Sequence, residues 1–157
     1  MVQVISRSLI NTVAEAAAGS ARLRMNHNFH SGPADNPHRF LNVLLRGTYI
    51  RPHKHANPAK AETFIALEGS AAIFIFDEAG AVTGRFDIGG VDAPLLGVDI
   101  SSGVWHTVVA LTERVVCFEV KPGPWEPSSD KEFAAWAPAE DDAGCEHFIE
   151  GLLAVST

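Results

Sequence analysis

The sequence predicts an all-β, single-domain fold, a sandwich or barrel of short strands with a helical segment at each end. Two observations carry this. About eight short runs rich in Val, Ile, Phe, Thr and Trp follow one another between residues 40 and 121, separated by Gly, Pro and Asp. An Ala-rich stretch with apolar residues at helical spacing precedes them, and a chain of 157 residues is the size of one core.

The opening segment, Ser6 to Gly19, sets Leu9, Ile10, Val13, Ala16 and Ala17 along one helical stripe and ends on a glycine suited to a left-handed stop. Asn26 to Pro37 contains Ser-Gly-Pro and Asn-Pro and reads as a loop. The expected strands are Phe40–Leu45, Thr48–Arg51, Thr63–Leu67, Ala72–Phe76, Val82–Ile88, Leu95–Ile100, Trp105–Leu111 and Val115–Lys121. Asp77 to Gly80 and Leu111 to Arg114 read as hairpin turns. Near the end, Ser129-Asp130-Lys131-Glu132 has the form of a capping box ahead of Phe133, Ala134 and Trp136, with Pro138 as the stop. The expected organisation is a helical extension over 1–20, a β-barrel over 21–125 and a helical segment over 126–157.

A net charge of −7 argues against a nucleic-acid or membrane-surface binder, which needs a basic face. The charge is uneven, however. Residues 21–60 hold seven basic side chains, one acid and five of the seven histidines, whereas 122–157 hold eight acids and Lys131 alone. Either the basic stretch is a solvated face, or it receives an anionic small molecule. Two cysteines do not make a disulfide framework, and no apolar run approaches membrane-spanning length. A cytoplasmic protein is expected.

The chemistry lies in two spaced elements. Gly47 is followed after five residues by His53, after one more by His55, after six by Glu62 and after six by Gly69. On an extended strand, i and i+2 project to the same face, so His53 and His55 can reach one ion. Glu62 opens the next strand and can add an oxygen ligand. Downstream, Gly103-Val104-Trp105-His106 can turn His106 toward the same point. Three imidazoles and a carboxylate suit one divalent ion of Fe, Mn, Ni, Zn or Co and leave coordination positions open. Glu62 can alternatively orient an imidazole from behind.

These two elements resemble the paired signature motifs of the cupin superfamily. The resemblance implies a jelly-roll β-barrel with His53, His55, Glu62 and His106 as its metal ligands. Ser101 and Ala110 depart from the usual Pro and Asn of the second motif, at positions that concern strand packing. A narrower resemblance, to WbuC-type cupin metalloproteins, rests on Arg24-Met25-Asn26-His27, on Arg39 to Asn42, on Gly47 to His55, on Trp105 to Val109 and on Phe133 to Glu140. That family is associated with bacterial surface-polysaccharide gene clusters.

Tyr49 and Arg51 share the strand parity of the two histidines and are expected to point inward beside the metal. Arg51 then needs a substrate anion or a buried carboxylate as partner. Arg24, Asn26, His27 and Arg39 either line the barrel mouth as substrate donors or order the loops around it. Glu119 alternates with apolar neighbours and is expected inward, paired with an arginine. Trp105 turns away from the metal, while Phe133 and Trp136 are expected to cover a barrel opening or a dimer surface. His27 and His30 have no acidic partner and are not read as a second metal pair.

The expected function is a metal-dependent enzyme acting on a small anionic or sugar-derived metabolite by isomerase- or epimerase-type Lewis-acid chemistry. Tyr49 or His27 would move a proton, and Arg51, Arg24, Asn26 and Arg39 would bind substrate. A non-catalytic metabolite-binding cupin, an Fe(II) dioxygenase and a purely structural metal are the alternatives. A homodimer is expected, because sheet edges and spare apolar surface need cover.

Overall fold

Residues 2–155 are described by a computed structural model. The first apolar stripe forms helix α1 (Arg7–Ala18), started by Ser6, whose hydroxyl accepts the amide of Leu9 at 3.1 Å. Gly19 ends it in the right-handed region, at φ −82°, so no left-handed stop is used.

Ten strands follow: β1 (Arg24–Asn28), β2 (His38–Leu45), β3 (His53–Lys54), β4 (Glu62–Glu68), β5 (Ser70–Phe76), β6 (Val82–Gly89), β7 (Gly97–Ile100), β8 (Trp105–Ala110), β9 (Arg114–Lys121) and β10 (Glu132–Phe133). They pair antiparallel in two five-stranded sheets, β1-β2-β9-β4-β7 and β10-β3-β8-β5-β6. This is the all-β jelly roll expected, with a short helix near each end.

The two turns read as hairpins differ. Asp77 to Gly80 does close the β5–β6 hairpin, the amide of Asp77 donating to the carbonyl of Ala81 at 3.0 Å. Leu111 to Arg114 does not make a hairpin, because β8 and β9 belong to different sheets. Thr112 holds that crossing, accepting from the amide of Ser70 at 3.0 Å and donating to the carbonyl of Arg114 at 2.8 Å.

Between the sheets, alternation turns Leu44, Phe64, Ile73, Val108 and Cys117 inward to form the central core. Each sheet also has a cover on its outer face. Ile10, Val13 and Ala17 of α1 pack on Leu41, Val43 and Val116. The C-terminal segment packs Ala134, Ala137 and Leu152 on Phe74, Phe76 and Val109, with Trp136 against Phe76. Trp136 therefore covers a sheet face and not a barrel opening.

The C-terminal helix lies later than the capping-box reading placed it. Glu132 and Phe133 form β10, and helix α2 spans Cys145–Leu153. Pairing with β3 overrides the local helical signal: Phe133 stands opposite His53, and the amide of Ala134 donates to the carbonyl of Pro52 at 2.9 Å. The first loop also shortens, since Asn26 to Asn28 belong to β1 and pair with β2.

Candidate metal centre

Three strands bring the four expected ligands together. β3 carries His53, with His55 just beyond it; β4 begins at Glu62; β8 carries His106, directly opposite His53 in register. One ligand atom from each lies within 4.8 Å of the others, and all four residues are buried. The two sequence elements are also tied through the backbone, the amide of Gly103 donating to the carbonyl of His55 at 3.1 Å. Gly103 has φ +78°, a left-handed conformation that suits glycine and turns the chain into β8.

The rings are aimed from behind. His53 Nδ1 meets the carbonyl of Arg51 at 2.9 Å, His106 Nδ1 meets that of Val104 at 2.9 Å, and His55 Nδ1 meets that of Asp130. A carbonyl oxygen only accepts, so each Nδ1 carries the hydrogen and each Nε2 presents a lone pair. His55 Nε2 lies 3.4 Å from Glu62 Oε1, and His106 Nε2 contacts the same oxygen. Neither contact is a hydrogen bond: His55 Nε2, His106 Nε2 and Glu62 Oε1 are buried without a hydrogen-bond partner. Acceptors facing one another in a dry pocket are costly unless a cation lies between them. The donor set thus fits a divalent ion.

The electrostatics agree. Burial, with the charge of Lys131, holds His53 well below the usual histidine range, so the ring stays neutral.

A cavity of about 690 Å³ opens onto this group, with His53, Glu62 and His106 in its wall. Its polar walls also include Asn42 of β2, Glu119 and Lys121 of β9, and Asp130 and Lys131 of the segment before β10. Asn42 donates to Glu119 Oε2, and Lys121 Nζ lies 3.6 Å from Glu119 Oε1. Asp130 is shared by Lys60 at 2.7 Å and Lys121 at 3.4 Å. Glu119 is therefore inward as expected, but its partners are an amide and a lysine.

The sequence-predicted substrate and proton-transfer residues are dispersed. Arg51 and Tyr49 do not line the cavity. Arg51 donates to the carbonyl of Ala134 at 2.7 Å and lies over the Phe133 ring, and Tyr49 donates to the carbonyl of Pro138 at 2.8 Å. Strand parity fails because residues 49–52 are not a strand, so the facing seen at His53 does not extend back through Pro52. Ile50 takes the inward place instead.

Arg24 lines the cavity but is occupied by Glu140 at 2.6 Å and the carbonyl of Tyr49 at 2.7 Å. Asn26 also lines it and donates to Asn28. His27 and Arg39 do not: His27 packs edge-on to Phe29, and Arg39 donates to the carbonyl of Phe29 at 3.3 Å.

Sequence reasoning missed Asn42, Lys60, Lys121, Asp130 and Lys131. Parity was an available signal for one of them, since Lys121 follows Glu119 by two within β9. For Asp130 and Lys131, sequence held no signal, because a long-range strand pairing brings them in.

Over residues 5–88 the chain matches a sequence family described as a domain of unknown function, DUF6016. It belongs to that family. The match covers His53, His55 and Glu62 and stops short of His106. Among curated proteins, no sequence matches this DUF6016 protein.

Solved structures resemble the DUF6016 chain in fold. CapF of Staphylococcus aureus, a capsular polysaccharide assembling protein, superposes with a TM-score of 0.60 at 22% identity, over 73% of this chain and 32% of CapF. Oxalate decarboxylase of Bacillus subtilis, which has Mn(II) centres, gives 0.52 at 23% identity, over 71% of this chain and 28% of that one. KdgF of Halomonas gives 0.50 at 13% identity, over 67% of this chain and 82% of that one. The chain spans about a third of CapF and just over a quarter of the decarboxylase. These likenesses show that the DUF6016 protein shares the cupin-type jelly-roll fold of these structures. The buried histidine–glutamate group adds a cluster of side chains that could hold one metal ion.

Proposed function

We propose that this protein is a metal-dependent enzyme that acts on a small anionic or sugar-derived metabolite by isomerase- or epimerase-type chemistry. The observation that carries the reading is the set of three buried, unpartnered acceptor atoms, His55 Nε2, His106 Nε2 and Glu62 Oε1, with Glu62 and His106 in the wall of a 690 Å³ cavity. His53, His55, Glu62 and His106 would hold the ion, which supplies Lewis-acid polarisation of a substrate oxygen when bound. His53, His55 and His106 keep their lone pairs aimed by donating Nδ1–H to backbone carbonyls. Glu119 stands in the cavity as the group placed to hold or release a proton. Burial, reinforced by the Glu62 charge, raises its carboxyl above the ordinary range, and Asn42 fixes its orientation. Tyr49 suits that task less, because its hydroxyl is occupied and burial raises it above the usual phenol value.

The WbuC-type resemblance and the fold shared with CapF favour a sugar-derived substrate from surface-polysaccharide metabolism. None of the described helices is long and apolar enough to cross a membrane, which is compatible with a cytoplasmic protein, and we take the functional unit to be a homodimer. The test is metal content of protein purified without metal-affinity contact, followed by turnover of sugar nucleotides and sugar acids with and without oxygen. One equivalent of metal and conversion without oxygen is the expected result. Conversion only with oxygen would support the dioxygenase reading, and binding without conversion a metabolite-binding cupin.

A further inference from the structure

Among the charged groups around the cavity outside the four-residue cluster, one has no counter-charge in contact. Asp130 is taken by Lys60 and Lys121, and Glu119 by Lys121 and Asn42. Arg22 and Arg24 share Glu140. Lys131 lines the same cavity, and among the described residues it forms neither an ion pair nor a side-chain hydrogen bond.

Its position is held on both sides. The preceding residue, Asp130, accepts His55 Nδ1 on its carbonyl and two lysines on its carboxylate. The following residue, Glu132, is registered against Lys54, and Phe133 against His53. Lys131 is thus held next to the two residues that pair with β3. Burial and the neighbouring Lys121 charge hold its ammonium below the usual lysine range. Such a cation gains most from a partner that brings negative charge into the cavity.

We propose that Lys131 is the anchor for an anionic group of the ligand, a carboxylate or a phosphate, bound in the cavity between the four-residue metal cluster and the Lys121–Asp130 pair. This rests on the reading of the cavity as a substrate site, and it moves anion recognition from Arg51, where strand parity put it, to the segment before β10. Recognition then depends on the C-terminal segment docking on β3. Lysine is apt for this, as a compact point charge on a flexible stem can follow a carboxylate or phosphate oxygen.

The experiment is isothermal titration calorimetry with inorganic phosphate and with acetate, on metal-free and Mn(II)-loaded full-length protein. It compares the wild type with K131M and K131R, with metal stoichiometry measured on each. The wild type should bind at least one of the two anions. K131M should weaken that binding about tenfold or more while keeping wild-type metal content, and K131R should stay within about threefold. Anion binding that K131M leaves unchanged, or no binding of either anion by the wild type in both states, overturns the proposal. A wild type without stoichiometric metal would instead overturn the metal reading. A K131M effect on the metal-free protein would still support Lys131 as the anchor.

Discussion

His53 and His106 face each other across the β3–β8 pair, their ring centroids 4.6 Å apart, although fifty-two residues of chain separate them. A short backbone ladder thus sets the distance between two proposed ligands from separate motifs.

Replacing His55 by Ala removes the ring aimed by the carbonyl of Asp130. Metal should fall from one equivalent to below about a tenth, read by elemental analysis, with the far-ultraviolet circular dichroism unchanged. Full occupancy in His55→Ala would remove this residue from the ligand set.

Arg51→Ala tests the corrected placement. Arg51 ties β3 to the C-terminal segment through the carbonyl of Ala134, so its loss should cost about 1–2 kcal/mol of stability in urea unfolding. Metal stoichiometry should be unchanged. A loss of metal would mean that Arg51 acts on the centre itself.

Asp130 should make stability depend on pH. Burial opposes its ionisation, but the Lys121 charge and the Lys60 hydrogen bond outweigh it and hold the carboxyl below its ordinary value. A depressed folded-state pKa contributes stability that is fully present above about pH 4 and is lost as pH falls through the folded value. Asp130→Asn should therefore cost about 3–5 kcal/mol at pH 7, where it leaves buried Lys60 without a counter-charge and Lys121 with Glu119 alone, and the gap to wild type should narrow at pH 3. An equal gap at both values would contradict this account.

Gly69 has φ +70°, and a Cβ there would lie 2.1 Å from the carbonyl oxygen of Arg114, at the crossing from β4 to β5. Gly69→Ala combines left-handed strain with a clash against backbone and should cost about 2–5 kcal/mol. Thermal unfolding checks it, and a melting point equal to wild type would refute the steric argument.

Much of the proposed site was legible before folding. His-x-His alternation, Glu62 at a strand start and Gly103 before His106 are local geometries, each fixed by the two-residue period of a strand or by a glycine turn. Alternation also turned Glu119 inward and Trp105 outward. Parity misled at Tyr49 and Arg51, because it holds only while the chain stays a strand, and residues 49–52 leave it. The capping box at Ser129 misled for a different reason: cross-strand bonds to Pro52 and His53 outweighed a local preference worth about 1 kcal/mol.

By itself, then, the sequence determined the strand-rich fold, the four converging side chains and the apolar stripe of the first helix, since all three follow from short-range periodicity. Only the tertiary structure decided which cations face the cavity. Lys121 arrives on β9, Lys131 on a segment pinned against β3, and Asp130 between them holds Lys60 and the His55 ring. Asp130 meets Lys60 and His55 from seventy and seventy-five positions along the chain. The formation of these contacts depends on how two sheets and a C-terminal strap close on one another, which no local pattern encodes.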